Sequence, residues 1–113
     1  MGPRFEALAD GDQHGVFVTC CDTEVVGWCH VYRVNLLETD GYAELGGLVV
    51  DESVRGLGFG RALLAAAEKW AIEKGISRLR LYAGSHREEA FRFYANAGYE
   101  RTQPTMFQKH LDR

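Results

Sequence analysis

The segment VRGLGFGRALL, from Val54 to Leu64, places three glycines and two arginines just before an apolar run, with no acidic residue. The first turn of a helix has N–H groups without intrahelical partners and carries the positive end of the dipole, so helices usually recruit Asp or Glu there. This segment offers no carboxylate. Backbone N–H groups from Gly56 to Arg61 can therefore converge on an anion. The expected ligand carries a pyrophosphate or a similar group.

Two common phosphate-binding patterns do not fit this loop. A P-loop requires Lys followed by Ser or Thr after its glycines, and neither pair follows here. A dinucleotide fingerprint requires G-x-G-x-x-G and an acid about 20 residues on. The chain instead has G-x-G-x-G, and RLRLYAG stands where the acid belongs. A nucleotide-dependent oxidoreductase is therefore disfavoured, and binding of NAD would reveal one.

The loop must be positioned by strands that precede it. Residues 14–21 and 24–34 are rich in β-branched and aromatic residues and are separated by two residues, which predicts a β-hairpin. Residues 42–50 form a third predicted strand. The adjacent glycines Gly46 and Gly47 inside it indicate a bulge or a close backbone approach, or a simple packing accommodation.

Helices and further strands follow the loop. Apolar positions repeat with helical spacing over residues 60–74, and Gly75 closes this predicted helix. Residues 77–83 alternate as a strand, and residues 87–98 form a second predicted helix. One or two closing strands are expected around Pro104. The pattern predicts a single α+β domain over residues 1–113.

Composition excludes several classes of protein. No apolar stretch approaches a membrane span, no charged-then-apolar signal segment opens the chain, and Glu6 stands where a myristoylation site needs Ser or Thr. A cytoplasmic protein is therefore expected. The three cysteines lack metal-like spacing and are expected as free thiols, and the four histidines are scattered, so no metal is expected.

The charge is distributed unevenly. Residues 1–54 hold two bases and ten acids, whereas residues 55–113 hold eleven bases and six acids, which agrees with the net charge of −3. Two ligands of opposite sign, or ordinary solvated charges, both account for this asymmetry. A nucleic-acid surface would need an overall basic chain.

Two motifs resemble those of the GNAT N-acetyltransferases. The family's acyl-CoA motif is Arg or Gln, two residues, Gly, one residue, and Gly or Ala; VVDESVRGLGFGRALL matches it through Arg55, Gly58 and Gly60. The segment EEAFRFYANAGYE resembles the second family signature through Ala90, Phe93, Tyr94, Gly98 and Tyr99. The resemblance runs from about residue 14 to the end, and the two motifs in this order are more specific than either alone.

The resemblance implies a GNAT-like mixed V-shaped sheet flanked by helices. The strand at 42–50 would splay from the strand at 77–83, and coenzyme A would lie between them. Backbone groups of Leu48, Val49 and Val50 would bind the pantetheine and the acetyl carbonyl. The pyrophosphate would be bound by the backbone of Arg55, Gly56, Leu57, Gly58, Phe59, Gly60 and Arg61.

Catalytic roles are also implied by the resemblance. Glu44 matches a glutamate that acts as a base through water in several family members, although a half-exposed strand carboxylate is the simpler interpretation. Tyr94 matches the family's general acid, or is a core aromatic. Arg87 replaces a common asparagine and either reaches a coenzyme phosphate or lies in solvent.

The chain departs from the family at its start. Only MGPRFEALADGDQ precedes the hairpin, so most of the family's N-terminal strand and helices are expected to be missing. The acceptor side would then be reduced, borrowed from a second subunit, or lost. An uncovered strand at 14–21, carrying Val16, Phe17 and Val18, would be an exposed edge, which predicts a homodimer.

These observations predict an acetyltransferase that moves the acetyl group of acetyl-CoA directly to a primary amine, with a small molecule as acceptor. Acetyl-CoA is the co-substrate, and no nucleic acid, membrane or metal is expected. The alternative is a non-catalytic acyl-CoA-binding module. Turnover distinguishes the two.

Overall fold

The computed structural model of the chain describes residues 3–37, 41–82, 88–102 and 107–111. It contains two compact units, residues 1–82 and residues 83–113. The first unit comprises β1 (Pro3–Asp10), β2 (His14–Cys21), β3 (Glu24–Val34), β4 (Tyr42–Val50), a 3₁₀ turn (Glu52–Val54), α1 (Phe59–Glu73) and β5 (Leu79–Arg80). The second unit contains α2 (Glu88–Asn96).

The strands of the first unit form one mixed sheet. Their spatial order is β1-β2-β3-β4-β5; the first four strands are antiparallel, and β4 pairs with β5 in parallel. The predicted hairpin and third strand are present with the expected bounds. The expected α+β architecture, a mixed sheet with helices, is confirmed.

The start of the chain differs from the expectation. The expected loss of the N-terminal strand is wrong, because β1 pairs with β2 from Pro3↔Cys21 to Asp10↔Gly15. The segment PRFEALAD has no β-branched residue, and the open edge of β2 imposes the extended conformation that local propensity does not favour. Since β1 covers the 14–21 edge, the observation that motivated a homodimer is removed.

The core lies between α1 and one face of the sheet. The buried face of α1 contacts β2, β3 and β4 through Leu63, Leu64, Ala67, Trp70 and Ala71. The Trp70 indole Nε1 donates a hydrogen bond to the Gly11 carbonyl at 3.1 Å, so the largest core side chain also satisfies its polar atom. Burial of each leucine contributes roughly 1.5–3 kcal/mol.

The cysteines are free thiols, as expected. Cys29 is fully buried beneath α1, where its Sγ donates to the Leu63 carbonyl at 3.4 Å. Desolvation by burial raises the pKa of the Cys29 thiol to about 11. This thiol therefore stays neutral and acts as a packing group rather than as a nucleophile.

Gly75 ends α1 as predicted. Its φ of 78° is left-handed, its N–H donates to the Ile72 carbonyl at 3.0 Å, and the Ile76 N–H donates to the Ala71 carbonyl at 2.9 Å. This is the Schellman arrangement, which glycine favours because it lacks a Cβ. The C-terminus of α2 has the same two bonds, from Gly98 to Ala95 and from Tyr99 to Tyr94.

The remaining elements are shorter than expected. The predicted strand at 77–83 is reduced to Leu79–Arg80, and the two described residues that follow it are not in a strand. The predicted closing strands centre on Pro104, which lies outside the described residues. The described parts of the tail, 99–102 and 107–111, contain no strand.

Candidate acyl-CoA site

The loop between β4 and α1 is anchored at its start. The Asp51 N–H donates to the Val26 carbonyl at 2.7 Å, which ties the end of β4 to β3. The Asp51 carboxylate accepts from the Ser53 backbone N–H at 3.0 Å and from its hydroxyl at 3.1 Å. The hydrogen bond from the Ser53 backbone is the main cause that lowers the Asp51 pKa. The acid thus caps the 3₁₀ turn and stays charged without entering the glycine loop.

The glycine loop then opens the backbone at the start of α1. Gly56 and Gly58 have φ values of 84° and 91°, and a Cβ on either residue would meet nothing within 4 Å. Gly58 is the N-cap residue and provides no side-chain bond, and the first turn holds no acid. The Ala62 N–H makes the first helical bond, to the Gly58 carbonyl at 3.1 Å, so the Phe59 and Gly60 amides have no intrahelical acceptor. The backbone here is open and electropositive, as an anion site requires.

The loop side chains leave the glycines uncovered. The Arg55 Nε donates to the Val50 carbonyl at 3.3 Å, which turns this side chain back toward the end of β4. Leu57 is 70% exposed, whereas Phe59 is buried and fixes the first turn against the core. The loop therefore holds its shape through Phe59 and Asp51 while its backbone faces outward.

Strand β4 contains the bulge that its glycine pair predicted. His30 lies opposite Gly47 and Val31 lies opposite Leu45, so Gly46 is the extra residue. A Cβ on residue 47 would lie only 2.8 Å from the Trp28 ring atom Cη2. Both predicted alternatives are therefore realised: a bulge at residue 46 and a close approach at residue 47.

Two residue pairs join β4 to the described part of β5. Ala43 lies opposite Leu79 and Glu44 lies opposite Arg80. From Leu45 to Val50, β4 has no partner in the described part of β5. The stretch from Leu48 to Val50, the predicted pantetheine-binding backbone, pairs with β3 on one side. Its other side is not covered by the described part of β5, as a splayed pair of strands requires.

Glu44 lies where this pairing ends, on the sheet face opposite α1. The Tyr32 hydroxyl on β3 donates to the Glu44 Oε2 at 2.7 Å. The Cys29 and Val31 side chains are buried on the α1 side, and side chains alternate along a strand, so His30 and Tyr32 share the other face. The Glu44 carboxylate is half-buried on this face, next to the bulge.

Two histidines complete a polar row, which we define as His14, His30, Tyr32 and Glu44. The His14 Nδ1 and His30 Nε2 atoms are 3.0 Å apart. Their ring centroids are 5.2 Å apart with an interplanar angle of 17°, so the imidazoles meet edge to edge, and one nitrogen donates while the other accepts. The Tyr32 ring centroid lies 5.3 Å from that of His30 and 6.0 Å from that of His14.

Tyr32, His14 and His30 were not among the site residues predicted from the sequence. His30 and Tyr32 are two residues apart on one predicted strand, and this spacing is the signal that would assign them to one face. Their meeting with His14 and Glu44 depends on the registers of two strand pairs, which the sequence does not give.

The remaining predicted site residues lie in the second part of the chain. Tyr94 is half-buried on α2. Its ring packs edge to face against Phe93 and Tyr99, with centroid distances of 5.0 and 5.9 Å. These contacts fit a packed aromatic and leave its catalytic role a prediction. Arg87 lies outside the described residues.

Comparison with known proteins identifies the family. The family model described as acetyltransferase (GNAT) family matches residues 2–99, and the chain belongs to this family. The open mixed sheet of the first unit is the fold that the resemblance to this family predicted.

Two relatives show how much of the chain is similar to known proteins. An uncharacterised N-acetyltransferase of Methanocaldococcus jannaschii is 31% identical over 98 residues, which cover 85% of this chain and 43% of that protein. Aminoglycoside N(6')-acetyltransferase type 1 of Stenotrophomonas maltophilia is 31% identical over 107 residues, which cover 90% of this chain and 69% of that protein. The chain therefore spans less than half the length of the first relative and about two thirds of the second.

A solved structure shows the same fold. AAC(6')-Iy, in complex with the bisubstrate analogue CoA-S-monomethyl-acetylneamine, has a TM-score of 0.79 and 21% sequence identity, over 90% of this chain and 72% of that one. Among the described residues, no helix is long and apolar enough to cross a membrane. The same residues contain no group of three or more His, Cys, Asp or Glu side chains that could hold a metal ion.

Proposed function

We propose that this chain transfers the acetyl group of acetyl-CoA directly to a primary amine of a small molecule. The observation that carries the proposal is the acid-free start of α1, where two left-handed glycines precede a first turn without a side-chain cap. A diphosphate is the group in acetyl-CoA that such a backbone would bind. The complex of AAC(6')-Iy with a CoA-based analogue supports the same ligand class.

The cofactor would lie along β4 and the loop that follows it. The backbone of Leu48, Val49 and Val50 would bind the pantetheine and the acetyl carbonyl, on the side that the described part of β5 leaves open. The pyrophosphate would be bound by the backbone of Arg55, Gly56, Leu57, Gly58, Phe59, Gly60 and Arg61. Arg87 is proposed as a further phosphate contact.

The reaction requires a base and an acid. The neutral amine attacks the thioester carbonyl, a C–N bond forms, and the C–S bond breaks as the CoA thiolate leaves. Glu44 is proposed to take a proton from the amine through water, and Tyr94 to give a proton to the thiolate. A phenol is protonated at neutral pH, and each such group contributes about 10²- to 10⁴-fold in rate.

A small cationic amine is the acceptor class that we propose. An aminoglycoside N-acetyltransferase is among the relatives, and the Glu44 carboxylate, on the sheet face opposite α1, suits an ammonium group. Three further expectations stay predictions: that residues 1–113 form one acyl-CoA-binding domain, that the protein is cytoplasmic, and that it forms a homodimer.

A panel assay tests the function. The protein is incubated with acetyl-CoA and with polyamines, aminoglycosides, amino acids or lysine peptides, and release of free thiol is followed for each. Thiol release that depends on one amine class, with an acetylated product of that amine by mass spectrometry, is the expected result. Binding of acetyl-CoA without turnover on any amine would instead favour the non-catalytic acyl-CoA-binding module.

A further inference from the structure

Tyr32 and Glu44 form the shortest hydrogen bond described between two side chains in the first unit. The two residues lie directly opposite each other on β3 and β4, and the Tyr32 hydroxyl is 2.7 Å from the Glu44 Oε2. An ionised carboxylate only accepts hydrogen bonds, so the phenol is the donor. A bond of this length to a charged oxygen is charge-assisted and directional. It engages one of the two carboxylate oxygens and restricts the orientation of the group.

The Tyr32 ring is held in turn by its neighbours. His30 and His14 flank it at centroid distances of 5.3 and 6.0 Å, and the two imidazoles are joined to each other at 3.0 Å. On the β4 side, a Cβ on residue 46 would lie 3.1 Å from the Tyr32 Cε1 and 3.2 Å from the His30 Nδ1. The glycine at the bulge thus lets both rings pack closely against β4. The hydroxyl that meets Glu44 is therefore positioned by residues from three strands.

The electrostatics keep this hydroxyl a donor. The hydrogen bond to Glu44 is the largest cause that raises the Tyr32 pKa to about 12, and burial adds to it. The titratable groups described around Tyr32 are His14 on β2, His30 on β3, Tyr42 and Glu44 on β4, and Tyr82 after β5. The cationic Arg80 lies opposite Glu44 on β5. Tyr32 therefore remains protonated throughout the pH range in which an acetyltransferase would work.

We propose that Tyr32 is a positioning residue, whose hydroxyl orients the Glu44 carboxylate and leaves its second oxygen for the water that receives the amine proton. This inference rests on the proposed role of Glu44 as the base. Nothing in the two GNAT motifs includes Tyr32. The assignment comes from the register of β3 against β4.

The first test is independent of activity. The titration of Tyr32 is followed by NMR of protein labelled at the tyrosine Cζ, with Tyr32→Phe used to assign its signal. Glu44→Gln removes the charged acceptor, so Tyr32 should titrate at lower pH than in the wild type. An unchanged Tyr32 titration in Glu44→Gln would mean that the bond does not exist in solution, and would overturn the proposal.

The second test measures the kinetic consequence with the amine that the panel identifies. In Tyr32→Phe we expect kcat to fall about tenfold, because the carboxylate loses its orientation. The KM for the amine and the Kd for acetyl-CoA should not change, because in the proposed arrangement the Tyr32 hydroxyl orients the carboxylate and contacts neither substrate. Tyr42→Phe is the matched control, because it removes only a hydroxyl. It keeps the Tyr42 ring, whose centroid lies 4.4 Å from the Arg80 Cζ.

The hypothesis that Glu44 is the base and the hypothesis that Tyr32 positions it are contradicted by different results. If Glu44→Gln abolishes turnover but Tyr32→Phe matches the wild type in kcat, positioning by Tyr32 is wrong and the base assignment stands. If Glu44→Gln retains full turnover, the base assignment fails, and the positioning role fails with it. A general loss of packing would also raise the KM for the amine or the Kd for acetyl-CoA in Tyr32→Phe, and that result would overturn the proposal as well.

Discussion

The glycine loop at residues 55–61, which we propose binds the cofactor, and the polar row on the sheet face opposite α1 are built from different parts of the chain. The loop presents backbone groups, and its key residues, Gly56 and Gly58, have no side chains to contribute. The row presents side-chain groups from β2, β3 and β4, joined by contacts of 2.7 and 3.0 Å. Adding atoms should therefore damage the first region, whereas removing functional groups should damage the second.

The largest expected effect is the loss of turnover when Glu44, in the polar row, is changed. Glu44→Gln keeps the size of the side chain but removes the proposed base, so kcat should fall about 100-fold or more. Steady-state kinetics on the identified amine measure this loss, and calorimetry should find the affinity for acetyl-CoA unchanged. Glu24→Gln, at an exposed position on β3, is the matched control. If acetyl-CoA affinity fell along with kcat, the two regions would not be separable.

Tyr94 tests whether the second part of the chain supplies the acid. Tyr94→Phe keeps the ring that packs against Phe93 and removes the hydroxyl, so kcat should fall roughly 10- to 1000-fold with little change in CoA affinity. Water can replace the donor in part, which accounts for the lower bound. Equal kcat values, with chemistry shown to limit the rate, would make Tyr94 a packed aromatic only. A lower CoA affinity with kcat preserved would make it a cofactor contact.

The smallest expected effect concerns stability at high pH. The hydrogen bond to Glu44 raises the Tyr32 pKa from 10.0 to about 12, so the folded state favours the protonated phenol. Its contribution to the free energy of unfolding is complete below pH 10 and is lost as the pH rises toward 12. Urea unfolding of wild type and Tyr32→Phe at several pH values measures it. The stability difference between the two proteins should shrink across this window; a constant difference would contradict the assignment.

The local structure of the glycine loop was more predictable from the sequence than the polar row, for a physical reason. Glycines that need positive φ, and a helix start without acids, are local features, and both appear in VRGLGFGRALL before any fold is known. The same locality made the bulge at Gly46 and the helix end at Gly75 predictable. Glu44 was predicted only through the family resemblance, and its hydrogen-bond partner was not predicted at all.

The contacts that the sequence did not predict depend on pairing between strands that are distant in the sequence. His14 meets His30 only because of the β2–β3 register, and Tyr32 meets Glu44 only because of the β3–β4 register. Strand β1 was missed because PRFEALAD has weak strand propensity, and only its pairing with β2 explains its conformation. Local propensity predicts which segments form helices and strands. The register between strands decides which side chains meet in the polar row, and it is not determined until the sheet is assembled.

The central claim is that acetyl-CoA binds to the backbone of the glycine loop, and one calorimetric comparison tests it most directly. Gly58→Val and Gly75→Val introduce the same side chain at positive φ, 91° and 78°, at opposite ends of α1, where a Cβ would meet nothing within 4 Å. Each costs about 1–2 kcal/mol of backbone strain, so their effects on stability should match. Titration of acetyl-CoA should find the Kd raised about tenfold or more in Gly58→Val and unchanged in Gly75→Val. Equal affinities in the two variants would contradict the claim and remove this loop from the cofactor site.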